Sequence, residues 1–201
     1  MRRMQAILKR YGFTPPALYR ELAEQGCFMP FGGKHLQFSD LHWLEEPAIA
    51  GFQFHKDQIK GLVPFAQTAN HDLWCWYPAL NDGGQAPIVF CPDEDEVAFI
   101  HAPDFTAFLY RLLLEEYACT GLTEHLDVRQ SRELLDGYAE SLSPHFPEAW
   151  RERLSEIVAR PFTSDPNDYF GVIDEDELAD IISADIDYVR LDEEFEHFLG
   201  N

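Results

Sequence analysis

Leu62-Val63-Pro64-Phe65-Ala66, Leu73-Trp74-Cys75-Trp76-Tyr77 and Pro87-Ile88-Val89-Phe90-Cys91 are three apolar runs, each about the length of a buried strand. The gaps between them, Ala69-Asn70-His71-Asp72 and Asn81-Asp82-Gly83-Gly84, are rich in residues that accept turn geometry. The runs therefore read as successive strands. A shorter fourth, Val97-Ala98-Phe99-Ile100, follows across the acidic turn Pro92-Asp93-Glu94-Asp95-Glu96 and fits a hairpin. Beyond it Phe105, Phe108, Leu109, Leu112 and Leu113 recur at helical spacing, which predicts a helix capped by Asp104 with one stripe buried against the nearby sheet.

Upstream, Thr14-Pro15-Pro16 and Gly26 punctuate a short helix, with a capping hydroxyl, prolines in the first turn and a glycine stop. The alternation in Ile49-Ala50-Gly51-Phe52-Gln53-Phe54 predicts a strand with its aromatics on one face. After Gly121 the periodicity is wholly helical, with helices expected over 131–142, 147–159, 174–184 and 187–199 and no strand needed. The break at Thr120-Gly121-Leu122-Thr123 divides a core domain, 1–124, from an acidic helical extension, 125–201, that either stands apart or packs on the same core.

A chain of 201 residues, 46% apolar and 14% aromatic, can bury a substantial core. Its formal charge of -21 disfavours nucleic acid and anionic membranes and favours basic partners. The charge is uneven: residues 1–124 carry 9 Lys or Arg against 16 Asp or Glu, and residues 125–201 carry 6 against 20. Two thirds of the excess thus lies in the tail. Cys27, Cys75, Cys91 and Cys119 form no paired spacing of a zinc site or disulfide scaffold, and two of them sit inside apolar runs as small hydrophobes. The basic N-terminus lacks the apolar stretch of a signal peptide and no run is long enough to span a bilayer, so a cytoplasmic protein is expected.

In order and spacing, the helix from Pro15 to Gly26, the Leu62–Ala66 and Asp72–Trp76 strands, the Pro87–Phe90 strand, the acidic turn and the Phe105–Leu109 helix resemble the SUKH superfamily. That superfamily includes bacterial immunity proteins and a yeast regulator of cell-wall assembly. The likeness covers roughly residues 11–118. Where the family usually places a glycine just before the aspartate, this chain has Asn70-His71 before Asp72; both residues tolerate a left-handed backbone, so the turn is expected to survive. The resemblance implies an α+β fold, an antiparallel sheet flanked by helices, here followed by the acidic helical extension. It also implies a role in binding a protein partner. Many bacterial members are similar to antidotes of polymorphic toxins, often nucleases.

Candidate partner-binding residues are Asp72, Trp74, Trp76, Asp93, Glu94, Asp95 and Glu96. Trp74 and Trp76 share one strand face, and either pack under helices or present an aromatic recognition surface. The acids at 93–96 serve either a basic partner or only a solvated turn. Neither that run nor Asp174-Glu175-Asp176-Glu177 has the order of a calcium loop. The eight histidines form no His-Glu-x-x-His pair, and Phe31-Gly32-Gly33-Lys34 lacks P-loop spacing. No Gly-x-Ser-x-Gly elbow is present, and a Cys75–His71 pair would rest on a buried thiol. The chain is thus expected to be non-enzymatic, with no catalytic residue, metal or cofactor. The expected function is neutralisation of a basic toxin domain, such as a nuclease, without nucleic acid or membrane partners; the alternative is a housekeeping scaffold or regulatory module with no toxin partner.

Overall fold

In a computed structural model, residues 4–29, 35–81, 83–164 and 170–198 are described. The chain divides into two compact units, residues 1–105 with 188–201, and residues 106–187. The fold class is α+β, as expected, with a multi-stranded antiparallel sheet flanked by helices.

The first unit is built on the runs that opened the sequence reading. Strands β1 (His42–Trp43), β2 (Val63–Gln67), β3 (Leu73–Trp76), β4 (Ile88–Cys91), β5 (Val97–Ala102) and β8 (Glu194–Glu196) form one six-stranded sheet in that spatial order. All its pairings are antiparallel. Pro64 lies at a register irregularity in β2, where a residue without an N–H is tolerated. The helices are α1 (Gln5–Tyr11), α2 (Ala17–Glu24) and α3 (Glu46–Gly51). Gly26 at φ 80° ends α2 as the glycine predicted. Its N-cap, however, is Pro16 with no side-chain hydrogen bond, so the Thr14 hydroxyl does not cap it.

Side chains pack on both sheet faces. On one, Trp76 lies against Tyr19, Phe65 and Phe13, with ring centroids at 4.8, 4.4 and 5.4 Å. Phe105 meets the same cluster, 5.3 Å from Tyr19. On the other, Leu62, Leu73, Cys75, Val89, Cys91, Ala98 and Ile100 are buried under partly buried groups that include Phe52, Phe54, Tyr77 and Phe195. The strand expected over 49–54 is therefore corrected. Pro47 in the first turn starts α3, and Phe52 and Phe54 follow as coil, alternating because they lie along the sheet rather than within it.

The second unit is mostly helical, with α4 (Phe105–Ala118, whose first residue belongs to the first unit), α5 (Val128–Leu142), α6 (Glu148–Val158) and α7 (Glu175–Asp185). Asp127 and Gln130 form a capping box at the start of α5, and the Asp174 carboxylate accepts from Glu177 N–H at 2.8 Å to start α7. Helix α4 buries more than the predicted stripe: Ala107, Tyr110, Leu114 and Tyr117 are also inaccessible. In this unit the Tyr110 ring stacks on Trp150 at 4.5 Å and its hydroxyl donates to Asp185 at 2.5 Å. Arg132 bonds both Asp136 oxygens and the carbonyls of Val158 and Arg160, fixing the end of α6.

The tail is not wholly helical. Strands β6 (Thr163–Ser164) and β7 (Phe170–Gly171) pair with each other. The segment expected as a helix over 187–199, of which Leu199 lies outside the described residues, instead supplies β8. Its alternation of exposed Glu194, half-buried Phe195 and exposed Glu196 has the strand period of two, and pairing with β5 satisfies its backbone.

Candidate partner-binding surface

The turn from β2 to β3 is organised by Thr68. Its Oγ1 accepts from Asn70 N–H and Asp72 N–H, both at 3.2 Å, and donates to Asp72 Oδ2 at 2.8 Å. His71 adopts φ 71°, the left-handed conformation for which the family's usual glycine is suited, so the Asn70-His71 departure preserves the turn. Asp72 Oδ1 in turn accepts from Asp93 N–H at 2.9 Å. The structure thus joins Asp72 to the first residue of the acidic run.

Asp93, Glu94, Asp95 and Glu96 are all exposed in the β4–β5 turn. Asp95 Oδ1 accepts from Val97 N–H at 3.0 Å, a local turn bond. Trp76 is fully buried in the aromatic cluster, and Trp74 is 9% exposed, 4.6 Å from Phe90 and 4.7 Å from His101. Both tryptophans therefore pack in the interior of the first unit. The outer part of that face, from Trp74 through Phe90 to Phe99, carries two half-buried phenylalanines whose rings are 5.3 Å apart.

Sequence reasoning missed the residues that complete this end of the sheet. Glu196 stands opposite Val97 and Glu194 opposite Phe99, so two exposed carboxylates from the tail lie beside the strand that leaves the acidic turn. His197 is buried and ties the two segments together: its Nε2 donates to Asp95 O at 2.8 Å, and its backbone N–H donates to Glu96 O at 2.9 Å. Burial alone would lower its pKa, but the Cys91 sulfur and the Asp95 carbonyl outweigh it and raise the imidazole above its ordinary value. The only available signal was the alternating Glu194-Phe195-Glu196, masked by neighbouring helical periodicity.

Cys75 and Cys91 are buried, as read from sequence, and burial pushes the Cys75 thiol well above its ordinary pKa. Among the described residues, no group of three or more His, Cys, Asp or Glu is placed to hold a metal ion. No helix there is long and apolar enough to cross a membrane. Exposed carboxylates around a partly apolar sheet surface offer cation recognition.

These elements define an α+β protein whose candidate surface is a charged sheet end. The model of the SMI1 / KNR4 family (SUKH-1) matches residues 3–111, and the chain belongs to that family. Membership is consistent with a non-catalytic protein-interaction module. Searches of curated proteins and of solved structures give no match.

Proposed function

We propose that this chain is a cytoplasmic antidote that binds a cognate basic toxin, such as a nuclease domain, and covers its working surface. The observation that supports this reading is the grouping of Asp72, the Asp93–Glu96 turn and the tail carboxylates Glu194 and Glu196 in the first unit of a chain with net charge -21. Such a surface accelerates association with a cationic partner and makes binding dependent on salt. In this role Trp74 and Trp76 shape the surface from beneath by holding β3 in place, and the exposed acids make the contacts.

Co-expression with each basic protein encoded beside this chain tests the proposal. The expected outcome is rescue of growth and a complex whose affinity falls steeply between low and moderate salt. Rescue by none of them, with no complex even at low salt, would sink it. A growth-neutral partner held through an apolar, salt-insensitive interface would instead identify a housekeeping scaffold.

A further inference from the structure

Strand β8 ends the six-stranded sheet; just past it Phe198 bridges Gln58 and the His197 carbonyl accepts from Ile59 N–H at 2.9 Å, so the edge without a partner strand is the stretch Glu194–Glu196. Hydrogen bonds from His197 N–H to Glu96 O and from Ile100 N–H to Glu193 O make Glu193, Phe195 and His197 the residues bonded to β5. In an antiparallel ladder the intervening residues then turn their backbone groups the other way. The N–H and C=O of Glu194 and Glu196 therefore point outward, and no described residue pairs with them. Such an edge is a template for strand addition.

Its side chains define what can be added. Glu194 and Glu196 are exposed on the face shared with Phe99, whereas Phe195 turns to the opposite face, 5.6 Å from Tyr77. Neither carboxylate has an ion-pair partner among the described residues; the nearby Arg190 is held by Glu193 at 2.8 Å. Charges on a short edge strand commonly serve to prevent self-pairing, and two copies of this edge would repel. The same repulsion selects by sign, because it falls away for a cationic strand.

We propose that the outer edge of β8 is a strand-addition site for an extended basic segment of a partner protein. In that segment Lys or Arg alternates with apolar residues, so that cations face Glu194 and Glu196 while apolar side chains continue the surface of Phe195. The proposal rests on the partner being basic, as in the function proposed above, but adds a place and a mode of binding.

The test uses the full chain and an acetylated, amidated peptide of about seven residues alternating Lys and Val, the length of an ordinary strand. Hydrogen exchange read by NMR should show the Glu194 and Glu196 amides protected by the peptide. Glu196→Pro removes an outward N–H and fixes φ at an edge position where proline is tolerated, so it should leave the chain folded while weakening binding roughly 10- to 100-fold, the cost of one unmade sheltered hydrogen bond. The charge-reversed pair Glu194→Lys with Glu196→Lys makes no backbone demand; it should lose the Lys/Val peptide and bind a Glu/Val one. Peptide binding without protection of these two amides, or an unchanged preference after charge reversal, overturns the site. A basic toxin that binds while leaving both amides unprotected also removes this site yet preserves the antidote reading. Capture of the peptide at the edge, with no toxin found, preserves the site and removes that reading.

Discussion

Replacing Asp72 by Ala asks whether this carboxylate is a structural tie between two turns. In the folded chain it accepts from the Thr68 hydroxyl at 2.8 Å and from Asp93 N–H at 2.9 Å. Hydrogen bonds to an ionised acceptor contribute about 1.5–3 kcal/mol each when sheltered, and Asp72 is only half-buried, so Asp72→Ala should cost about 2–3 kcal/mol in total. Asp72→Asn keeps an acceptor for Asp93 N–H, but its NH₂ group meets a Thr68 oxygen that already accepts two backbone N–H groups. Its expected cost is about half, near 1 kcal/mol, for the loss of a single bond. Urea denaturation should show the midpoints ordered wild type, Asn, Ala at constant slope. An Ala variant within about 0.5 kcal/mol of wild type, the range of an ordinary surface substitution, would refute the reasoning.

Gly171→Ala should destabilise the second unit by at least about 2 kcal/mol through overpacking. A Cβ there would lie 2.0 Å from the Ala118 carbonyl oxygen, and Val172 N–H, bonded to Tyr117 O at 2.6 Å, holds the strand in place; an unchanged thermal midpoint would show that this approach is absent. Arg132→Lys should behave like Arg132→Ala and cost about 2 kcal/mol, because one ammonium cannot replace a fork that bonds Asp136 and two carbonyls; full rescue by Lys would contradict that geometry. Burial raises the pKa of Tyr19, Tyr110 and Tyr117 above 10.0, with Asp185 and Asp136 adding to the rise for the last two. Their protonated forms thus stabilise the fold fully below pH 10.0, and that contribution is lost as pH climbs above it. Absorbance at about 295 nm, which reports phenolate, should rise for these residues only together with loss of the circular dichroism signal; complete tyrosine ionisation in a native chain would overturn this.

The central strands were legible because each is an uninterrupted apolar run between turn residues, and β2, β3 and β4 fall where Leu62–Ala66, Leu73–Tyr77 and Pro87–Cys91 place them. The helix after Asp104 was equally plain. Ile49–Phe54 misled for a physical reason: Phe52 and Phe54 alternate because both rings pack on the sheet, a pattern that coil over a flat surface shares with a strand. β8 was missed for the opposite reason. Three residues are too few to establish a period, and what makes them a strand is β5, almost a hundred positions earlier in the chain. Asp72 and the 93–96 turn could be named from residue type, but their hydrogen bond depends on a strand register that no local pattern encodes.

The missed strand changes what the net charge means. Counted along the sequence, Asp192, Glu193, Glu194 and Glu196 belong to the acidic tail; by contact they belong to the first unit, beside the 93–96 turn. At physiological salt, charges act together only within a screening length of about 8 Å, so a total of -21 spread over the chain says little about any one contact. Glu194 and Glu196, two residues apart on one strand face and so separated by about 7 Å along the strand, fall inside that length and reinforce one another. A partner therefore meets the charge density of a sheet end, and the selectivity this produces should follow the position of Glu194 and Glu196 more closely than the number of acids elsewhere in the tail.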